Sequence, residues 1–338
     1  MKDIKVIGID LAKNVFQLHG TDAKGKCVLR KRLGRQQLIE FMSNVSPCLV
    51  GIEACTGSHY WARTFTAMGH TVKIMAPQFV KPYIAPNKND RNDAAGIAEA
   101  VTRPKMKFVP IKSTDQQDVL LLHRARELVV AQRTAQGNQI RGLLAEYGVV
   151  ISKGLSSLRN MERILDDHAD KITPKARDIF IRLSEQLKVY ADQVKVYDKE
   201  IEQAAKSSDV CREVMKIEGV GALTASAIVA TIGDARGFKN GREVSAWLGL
   251  VPKQHSSGNT IRLSGISKRG DRYARRLLIQ GARAAIKVCD NKEDARSRWA
   301  ANIKRTSGFN KAAVALANKN ARVIWAIMAT GECYKRPE

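Results

Sequence analysis

The chain has 338 residues and carries 57 lysine and arginine side chains against 33 aspartate and glutamate side chains, a formal net charge of +24 at pH 7. Hydrophobic residues make up 44% of it, enough to build folded cores, which excludes a chain that is disordered throughout. No apolar run approaches the roughly 20 residues of a membrane-spanning helix, so we expect no signal peptide, no membrane anchor and a cytoplasmic location. The six cysteines form no C-x-x-C pair, which argues against a zinc ribbon or a disulfide framework.

The positive charge lies at the two ends of the chain. Residues 1–110 have 17 basic and 8 acidic side chains, a net charge of +9, and residues 211–338 have 24 and 10, a net charge of +14. Residues 111–210 are nearly neutral, with 16 basic and 15 acidic side chains. A basic excess of this size most often meets a polyanion, so we predict that the ends bind nucleic acid and that the middle binds protein. A basic surface that only keeps the protein soluble is the alternative.

Residues 1–110 are predicted to form a mixed α/β domain, because three strands in a meander are followed by strands that alternate with helices. We predict strands at Ile4–Asp10, Val15–His19, Cys27–Leu33, Cys48–Glu53 and Thr71–Met75. We predict helices at Gln36–Ser43 and Ser58–Met68, and a last helix that begins near Asp90.

Four carboxylates of this domain fall at strand ends and on one helix face. Asp10 ends the first strand and Glu53 ends the fourth, while Asp90 and Asp93 are three residues apart and therefore share a face of the last helix. Four such groups repel one another unless a cation holds them, and hard oxygen ligands suit Mg²⁺ or Mn²⁺. A pair of these ions would stabilise the attacking and leaving oxygens of a phosphodiester. Surface acids without a ligand are the alternative.

Residues 111–208 are predicted to be helical, with a first helix at Gln116–Tyr147 and a break at Pro174. Apolar residues then recur at alternating spacings of three and four, which is a heptad pattern. They are Phe180, Leu183, Leu187, Tyr190, Val194, Tyr197, Ile201 and Ala204. The pattern favours a helical hairpin or an intermolecular coiled coil, and spacing cannot choose between them.

Residues 209–338 are predicted to form a mostly α-helical domain. The segment Ile217–Ala225 has the I-x-G-V-G-x-x-T-A form of a helix-hairpin-helix. Gly219 and Gly221 would let the turn approach a DNA phosphate, which the N–H groups of the next helix would bind. The alternative is a glycine-rich turn that packs inside the domain.

A basic segment follows in the same domain. Arg272, Arg275 and Arg276 stand at i, i+3 and i+4, so we predict one helix face that binds phosphates. Lys268 and Arg269 lie just before them in the run I-S-K-R-G and extend the predicted nucleic-acid-binding set.

The order D, E, D-x-x-D resembles an RNase H-like, RuvC-type nuclease domain. The motifs G-I-D-x-A-K and G-I-E-A-C-T-G, and later W-L-G-L-V-P, S-G and I-S-K-R-G-x-x-x-x-R-R, resemble the DEDD transposases of the IS110 group, closest to its IS1111 branch and related to Piv-type DNA invertases. The resemblance covers nearly the whole chain. It implies that Asp10, Glu53, Asp90 and Asp93 bind Mg²⁺ and that Ser257, the serine of the S-G step, attacks DNA to form a phosphoserine linkage.

The resemblance also implies partners. These are donor and target DNA in the nucleoid and a structured non-coding (bridge) RNA, encoded by the element, that guides the protein to both. From the heptad pattern we expect a homo-oligomer, a dimer or tetramer, in which Ser257 of one chain completes the metal site of another. No membrane partner is expected.

Three other functions stay open on the sequence. A Piv-like, protein-only invertase would use the same residues without a guide RNA. A RuvC-like hydrolytic nuclease would use water in place of Ser257. A non-catalytic nucleic-acid-binding scaffold would use the heptads for assembly and would need none of the four carboxylates.

Overall fold

A computed structural model describes residues 4–84, 90–258 and 260–335. The chain divides into two compact units, Met1–Ser113 and Thr114–Glu338. The domain boundary that we predicted at residue 110 lies three residues before this division. The boundary predicted at residue 208 lies inside the second unit, where Ser208 caps a helix N-terminus, and it stays a prediction.

A six-stranded mixed sheet forms the centre of the first unit. Its strands are β1 (Val6–Asp10), β2 (Val15–Thr21), β3 (Cys27–Gly34), β4 (Leu49–Glu53), β5 (Thr71–Met75) and β6 (Phe108–Val109). Their order across the sheet is β3-β2-β1-β4-β5-β6, with β1, β4 and β5 parallel and the other pairings antiparallel. The predicted mixed α/β unit, a three-stranded meander followed by strands that alternate with helices, is confirmed.

The helices of this unit are α1 (Arg35–Ser43), α2 (Ser58–Ala67), α3 (Pro77–Val80) and α4 (Asp90–Ala100). Alternate residues of the strands point to opposite faces of the sheet. Ile7 and Ile9 of β1 lie in one core with Trp61 and Phe65 of α2. On the other face, α4 contacts β1, β2 and β4. The predicted strands and helices agree with these bounds to within two residues. Among the described elements of this unit, α3, β6 and a 3₁₀ turn at Lys81–Tyr83 were not predicted, because elements of two to four residues have no measurable period.

The second unit is largely helical. Its helices are α5 (Thr114–Ala145), α6 (Met161–Asp166), α7 (Pro174–Ser207), α8 (Asp209–Met215), α9 (Ala222–Ile232), α10 (Gly241–Trp247), α11 (Arg272–Val288), α12 (Ala295–Ser307) and α13 (Phe309–Thr330). Two antiparallel strands, β7 (Pro252–Ser257) and β8 (Thr260–Ile266), form a hairpin between α10 and α11. We predicted no strands in this part of the chain. Among the described residues, no helix is long and apolar enough to cross a membrane.

The heptad residues of α7 pack against α5 of the same chain. Every second one, namely Phe180, Leu187, Val194 and Ile201, is buried. The two helices run antiparallel, since Tyr147, just beyond α5, meets Phe180 edge-on and Arg126 pairs with Asp198. Four of the eight heptad residues are therefore buried in a helical hairpin within the chain.

His123 of α5 ties this helical hairpin to the rest of the second unit. Its ring is buried between Tyr273 of α11 and Ser226 of α9, with Nδ1 2.9 Å from the tyrosine hydroxyl and Nε2 3.0 Å from the serine hydroxyl. The Ser226 hydroxyl donates to the Ala222 carbonyl, so its oxygen accepts from Nε2–H and leaves Nδ1 to accept from Tyr273. A neutral imidazole with its proton on Nε2 satisfies both contacts. Burial, with help from the nearby Arg126 and Arg124, lowers the pKa of His123 to about 4.

The depressed pKa of His123 predicts a loss of stability in acid. Between pH 6.5 and 4 the unfolded chain binds a proton at this residue and the folded chain does not, so the free energy of unfolding falls as the pH falls. The difference between the pKa of His123 in the folded chain, about 4, and the ordinary value of 6.5 corresponds to a loss of up to about 3 kcal/mol in the free energy of unfolding. A glutamine at this position can hydrogen-bond but does not titrate. We therefore expect His123→Gln to have a shallower decrease in unfolding free energy from pH 7 to pH 4 than the parent.

Urea unfolding in a Trp61→Phe background measures this change, because the other three tryptophans all lie in the second unit. Equal slopes of the unfolding free energy against pH in the two proteins would contradict the assignment.

Candidate functional site

The first two predicted carboxylates lie side by side at one edge of the sheet. Strands β1 and β4 are parallel neighbours whose last paired residues are Ile9 and Ile52. Asp10 and Glu53 follow directly after this pair, so the topology brings both carboxylates to the carboxyl ends of adjacent parallel strands. Such edges are where ligands bind in sheets of this kind.

Both carboxylates extend on the face of the sheet that α4 covers. A Cβ placed on Gly8 would lie 2.3 Å from the Ala94 carbonyl oxygen, and one placed on Gly51 would lie 2.9 Å from Val101, so both glycines face α4 and its end. Asp10 and Glu53 each come two residues later on the same strands and therefore share this face. Because Gly8 and Gly51 have no side chains, α4 lies directly on β1 and β4, and this close packing sets the distance between the helix and the two acids.

Asp93 is carried to this face by α4. Its side chain is 9% exposed, and its Oδ1 is buried without a hydrogen-bond partner among the described residues. A buried carboxylate oxygen without a partner costs free energy unless a donor or a cation reaches it. Asp90 is the first residue of the same helix, and its side chain lies outside the described part of the structure.

The donor set fits a hard divalent cation. Asp10, Glu53 and Asp93 offer only carboxylate oxygens, the ligands that Mg²⁺ and Mn²⁺ prefer. No group of three or more histidine, cysteine, aspartate or glutamate side chains is close enough to hold a metal ion within the described residues, and the Asp90 side chain is not among them. The described residues thus place two carboxylates side by side at the sheet edge and a third on the covering helix, without bringing three of them together.

Cys55 lies beside the carboxylates, which the sequence analysis did not anticipate. Its Sγ is 4.0 Å from the Leu11 carbonyl oxygen, directly after Asp10. Burial raises the pKa of the Cys55 thiol, and the negative charges of Asp10 and Glu53 raise it further. The thiol is therefore protonated at neutral pH. All six cysteines are free thiols in the structure.

Ser257 stands at the tip of the β7–β8 hairpin. It pairs with Thr260 across the turn, and both residues are exposed to solvent. The neighbouring Ser256 is engaged differently, since its hydroxyl oxygen is 3.0 Å from the side-chain nitrogen of Gln254. The alternation Thr-Ile-Arg-Leu after a Gly-Asn step is the signal that predicts this hairpin, although we predicted only a mostly α-helical domain here.

The two ends of the hairpin are held together at its base, which we call the neck (residues 247–251 and 267–270). A Cβ on Gly270 would lie 2.0 Å from the Trp247 carbonyl oxygen, and Gly270 has a φ of +75° that side chains disfavour. Arg275 is buried beneath, where its guanidinium donates to the Leu248 carbonyl at 3.0 Å and to the Arg269 carbonyl at 2.8 Å. The neck therefore joins the strand that enters the hairpin to the one that leaves it.

The basic residues that we predicted to bind nucleic acid together do not all lie on the surface of the protein. Lys268, Arg269 and Arg272 are exposed, as nucleic-acid contact requires. Arg276 is exposed too but forms an ion pair with Glu127 at 2.7 Å. Arg275 instead points into the protein and holds the neck, because three residues at i, i+3 and i+4 share a face and that face lies partly against the core.

The two glycines of the helix-hairpin-helix segment lie in different surroundings. A Cβ on Gly219 would lie 2.7 Å from the Gly281 carbonyl oxygen of α11, so the backbone at Gly219 approaches a helix of the same unit. Gly221 is exposed at the N-terminus of α9, and a Cβ there would meet open space. Gly221 is therefore exposed for the predicted phosphate contact, whereas Gly219 is half-buried against α11.

Comparisons with known proteins identify the family of the chain. The family model described as Transposase IS116/IS110/IS902 family matches residues 211–299, and the DEDD transposase model of IS110 matches residues 7–149. The chain is 44% identical over 336 residues to the transposase for insertion sequence element IS1111A of Coxiella burnetii, covering 99% of this chain and 92% of the relative. The chain belongs to the IS110 family of transposases. The resemblance read from the sequence motifs is confirmed.

Two further relatives cover similar lengths. A probable family 20 transposase of Pseudomonas aeruginosa is 43% identical over 97% of this chain and 98% of its own. The transposase for insertion sequence element IS1328 of Yersinia enterocolitica is 34% identical, and the match covers 99% of this chain and 100% of the relative. This IS110-family chain is a DNA transposase, an enzyme that cleaves and rejoins DNA. Asp10, Glu53 and Asp93 fall in one matched segment and Ser257 in the other.

Proposed function

We propose that this transposase cuts DNA with a Mg²⁺-dependent carboxylate site and rejoins it through a phosphoserine bond at Ser257. The observation that carries the proposal is the edge of the sheet where Asp10 and Glu53 lie adjacent under α4, with the unpartnered Oδ1 of Asp93 on that helix. The order β3-β2-β1-β4-β5 with its parallel half supports an RNase H-like fold for this unit.

Asp10, Glu53, Asp90 and Asp93 would hold the cation, with Mn²⁺ as an acceptable substitute for Mg²⁺. Bound there, the cation would neutralise charge that develops on the phosphate oxygens. The carboxylates themselves keep the cation at the strand ends, and α4, which closes directly on β1, limits the water that reaches Asp93.

The serine step conserves the bond energy of the DNA backbone. The Ser257 Oγ loses its proton and forms a bond to phosphorus, while one phosphorus–oxygen bond of the DNA backbone breaks and the released strand end takes a proton. The phosphoserine ester keeps the phosphorus in ester linkage, so attack by another strand end restores Ser257 and joins DNA without a new energy source. The exposed position of Ser257 on a protruding hairpin supports contact with DNA.

We also propose that an element-encoded RNA guides the enzyme to donor and target DNA. The net charge of +24 and the exposed Lys268, Arg269 and Arg272 support binding of a polyanion, and the guide itself rests on the family resemblance.

Oligomerisation through α5 and α7 is the last part of the proposal. Apolar side chains seven residues apart remain exposed on both helices, Leu121 and Leu128 on α5 and Val189 and Val196 on α7, at 66%, 60%, 49% and 55%. The Arg126–Asp198 pair places Leu128 and Val196 at the same level of the helix pair. This stripe gives a second copy of the chain an apolar surface to cover.

We predict that Asp10→Asn and Asp93→Asn each lower DNA cleavage by about 100-fold or more while DNA binding stays nearly unchanged, because these carboxylates hold the cation that stabilises the transition state. Glu40→Gln, an exposed acid of the same unit, is the control and keeps cleavage. Ser257→Ala is expected to lose cleavage, and Ser256→Ala to keep it. Gel assays with end-labelled DNA and Mg²⁺ measure both.

Two results would overturn these assignments. Full cleavage by Asp93→Asn and Asp10→Asn would exclude the metal site and favour a binding scaffold. Full cleavage by Ser257→Ala would favour a hydrolytic nuclease in which water attacks the phosphate.

We predict that a discrete structured RNA copurifies with the enzyme when it is expressed with its native flanking DNA. Sequencing of the bound RNA tests this. One RNA encoded in the flank supports the guided recombinase. Random cellular RNA alone would instead favour a protein-only invertase.

We predict that Leu128→Asp combined with Val196→Asp lowers the oligomeric state, because charge on the stripe cannot be buried in an apolar contact. Analytical ultracentrifugation measures the mass. Val150→Asp is the matched control, since Val150 is 86% exposed and lies outside both helices. An unchanged mass in the double variant would exclude this surface.

A further inference from the structure

The two faces of the β7–β8 hairpin carry different chemistry. Cross-strand partners in an antiparallel pair point to the same face. The pairs His255–Arg262 and Ser257–Thr260 share one face, and the pairs Gln254–Leu263 and Ser256–Ile261 share the other. We call the first the Ser257 face. It is polar and includes two nitrogen-bearing side chains, whereas the second exposes Ile261 and Leu263 at 72% and 64%.

The Ser257 face places both nitrogen side chains within reach of the serine. His255 is two residues before Ser257 on the same strand, roughly 7 Å away between Cα atoms. Arg262 lies diagonally across the pair, about 7–8 Å from Ser257, a gap that a long guanidinium side chain spans. All three residues are exposed, so a DNA phosphate can approach them together.

We propose that Arg262 and His255 act with Ser257 on the scissile phosphate, an inference that rests on the proposed phosphoserine reaction. Arg262 binds the non-bridging oxygens, since a guanidinium matches two phosphate oxygens and stabilises the charge that grows on them. His255 accepts the proton from the Ser257 hydroxyl, because a serine hydroxyl needs a base and an imidazole ring has a nitrogen that can accept a proton.

The proposed step balances within this face. The Ser257 Oγ–H bond breaks, its proton moves to the unprotonated ring nitrogen of His255, and the Oγ–P bond forms. The phosphorus–oxygen bond to the strand end breaks, and His255 returns the proton to that oxygen. Arg262 takes no part in the proton transfer and donates only hydrogen bonds.

The same geometry explains why Ser256 is unsuited to the reaction. It lies on the opposite face with Ile261 and Leu263, and its hydroxyl is engaged with Gln254. The polar and apolar faces thus separate the reacting serine from its neighbour, which the sequence alone does not distinguish.

The experiment measures the rate at which the full-length protein forms a covalent adduct with a labelled duplex. The duplex spans one end of the DNA element that encodes this chain, with RNA transcribed from the element's flanks present. Arg262→Ala, Arg262→Lys and His255→Ala are compared with Gln254→Ala, a control on the other face. We expect adduct formation to fall about 100-fold in Arg262→Ala and His255→Ala. Arg262→Lys should keep an intermediate rate, Gln254→Ala should be unchanged, and DNA affinity should change far less than the rate.

Chemical rescue separates a chemical role from a structural one. Added guanidinium should restore part of the rate of Arg262→Ala, and added imidazole part of the rate of His255→Ala. Normal rates in these variants, or lowered rates that track DNA affinity and show no rescue, would overturn the inference and leave the phosphoserine reaction standing. An undiminished adduct in Ser257→Ala would instead exclude the phosphoserine reaction itself.

Discussion

The absence of side chains at Gly8 and Gly51 determines how the first unit presents its acids. A Cβ at Gly8 would overlap the Ala94 carbonyl, so only glycine lets α4 lie directly on β1. Overpacking at such a contact typically costs 1–3 kcal/mol. Because the helix lies this close, Asp93 is buried against the same face on which Asp10 and Glu53 extend. The positions of these three carboxylates are thus set by the backbone packing of α4 on β1 and β4.

The second unit also depends on close backbone packing at a glycine, here at the base of the β7–β8 hairpin. Close backbone contact at Gly270, together with the buried Arg275, holds the neck of the β7–β8 hairpin, while the strands themselves stay in solvent. His123 links the start of α11, directly after the neck, to the long helix α5 through Tyr273. The hairpin therefore protrudes from a fixed base, and strand alternation alone decides which side chains accompany Ser257.

The fold of the first unit was largely predictable because its strands are short apolar runs that end in turn residues or acids. Asp10 and Glu53 could be assigned to strand ends on that basis. Tertiary contacts were not predictable: the spacing of Arg272, Arg275 and Arg276 gives a shared face but not the core that covers Arg275. In the same way, the glycine motif does not reveal that Gly219 meets Gly281. Cys55 joins the acids only because β1 and β4 are neighbours, which local sequence does not encode.

The central claim is that this transposase links DNA to one particular serine. Mass spectrometry of the protein–DNA adduct, after digestion of both components, identifies the residue that bears the nucleotide phosphate. The account predicts that the modification lies on Ser257 and that Ser256 in the same peptide is unmodified. A nucleotide on Ser256, or on any residue other than Ser257, would contradict it.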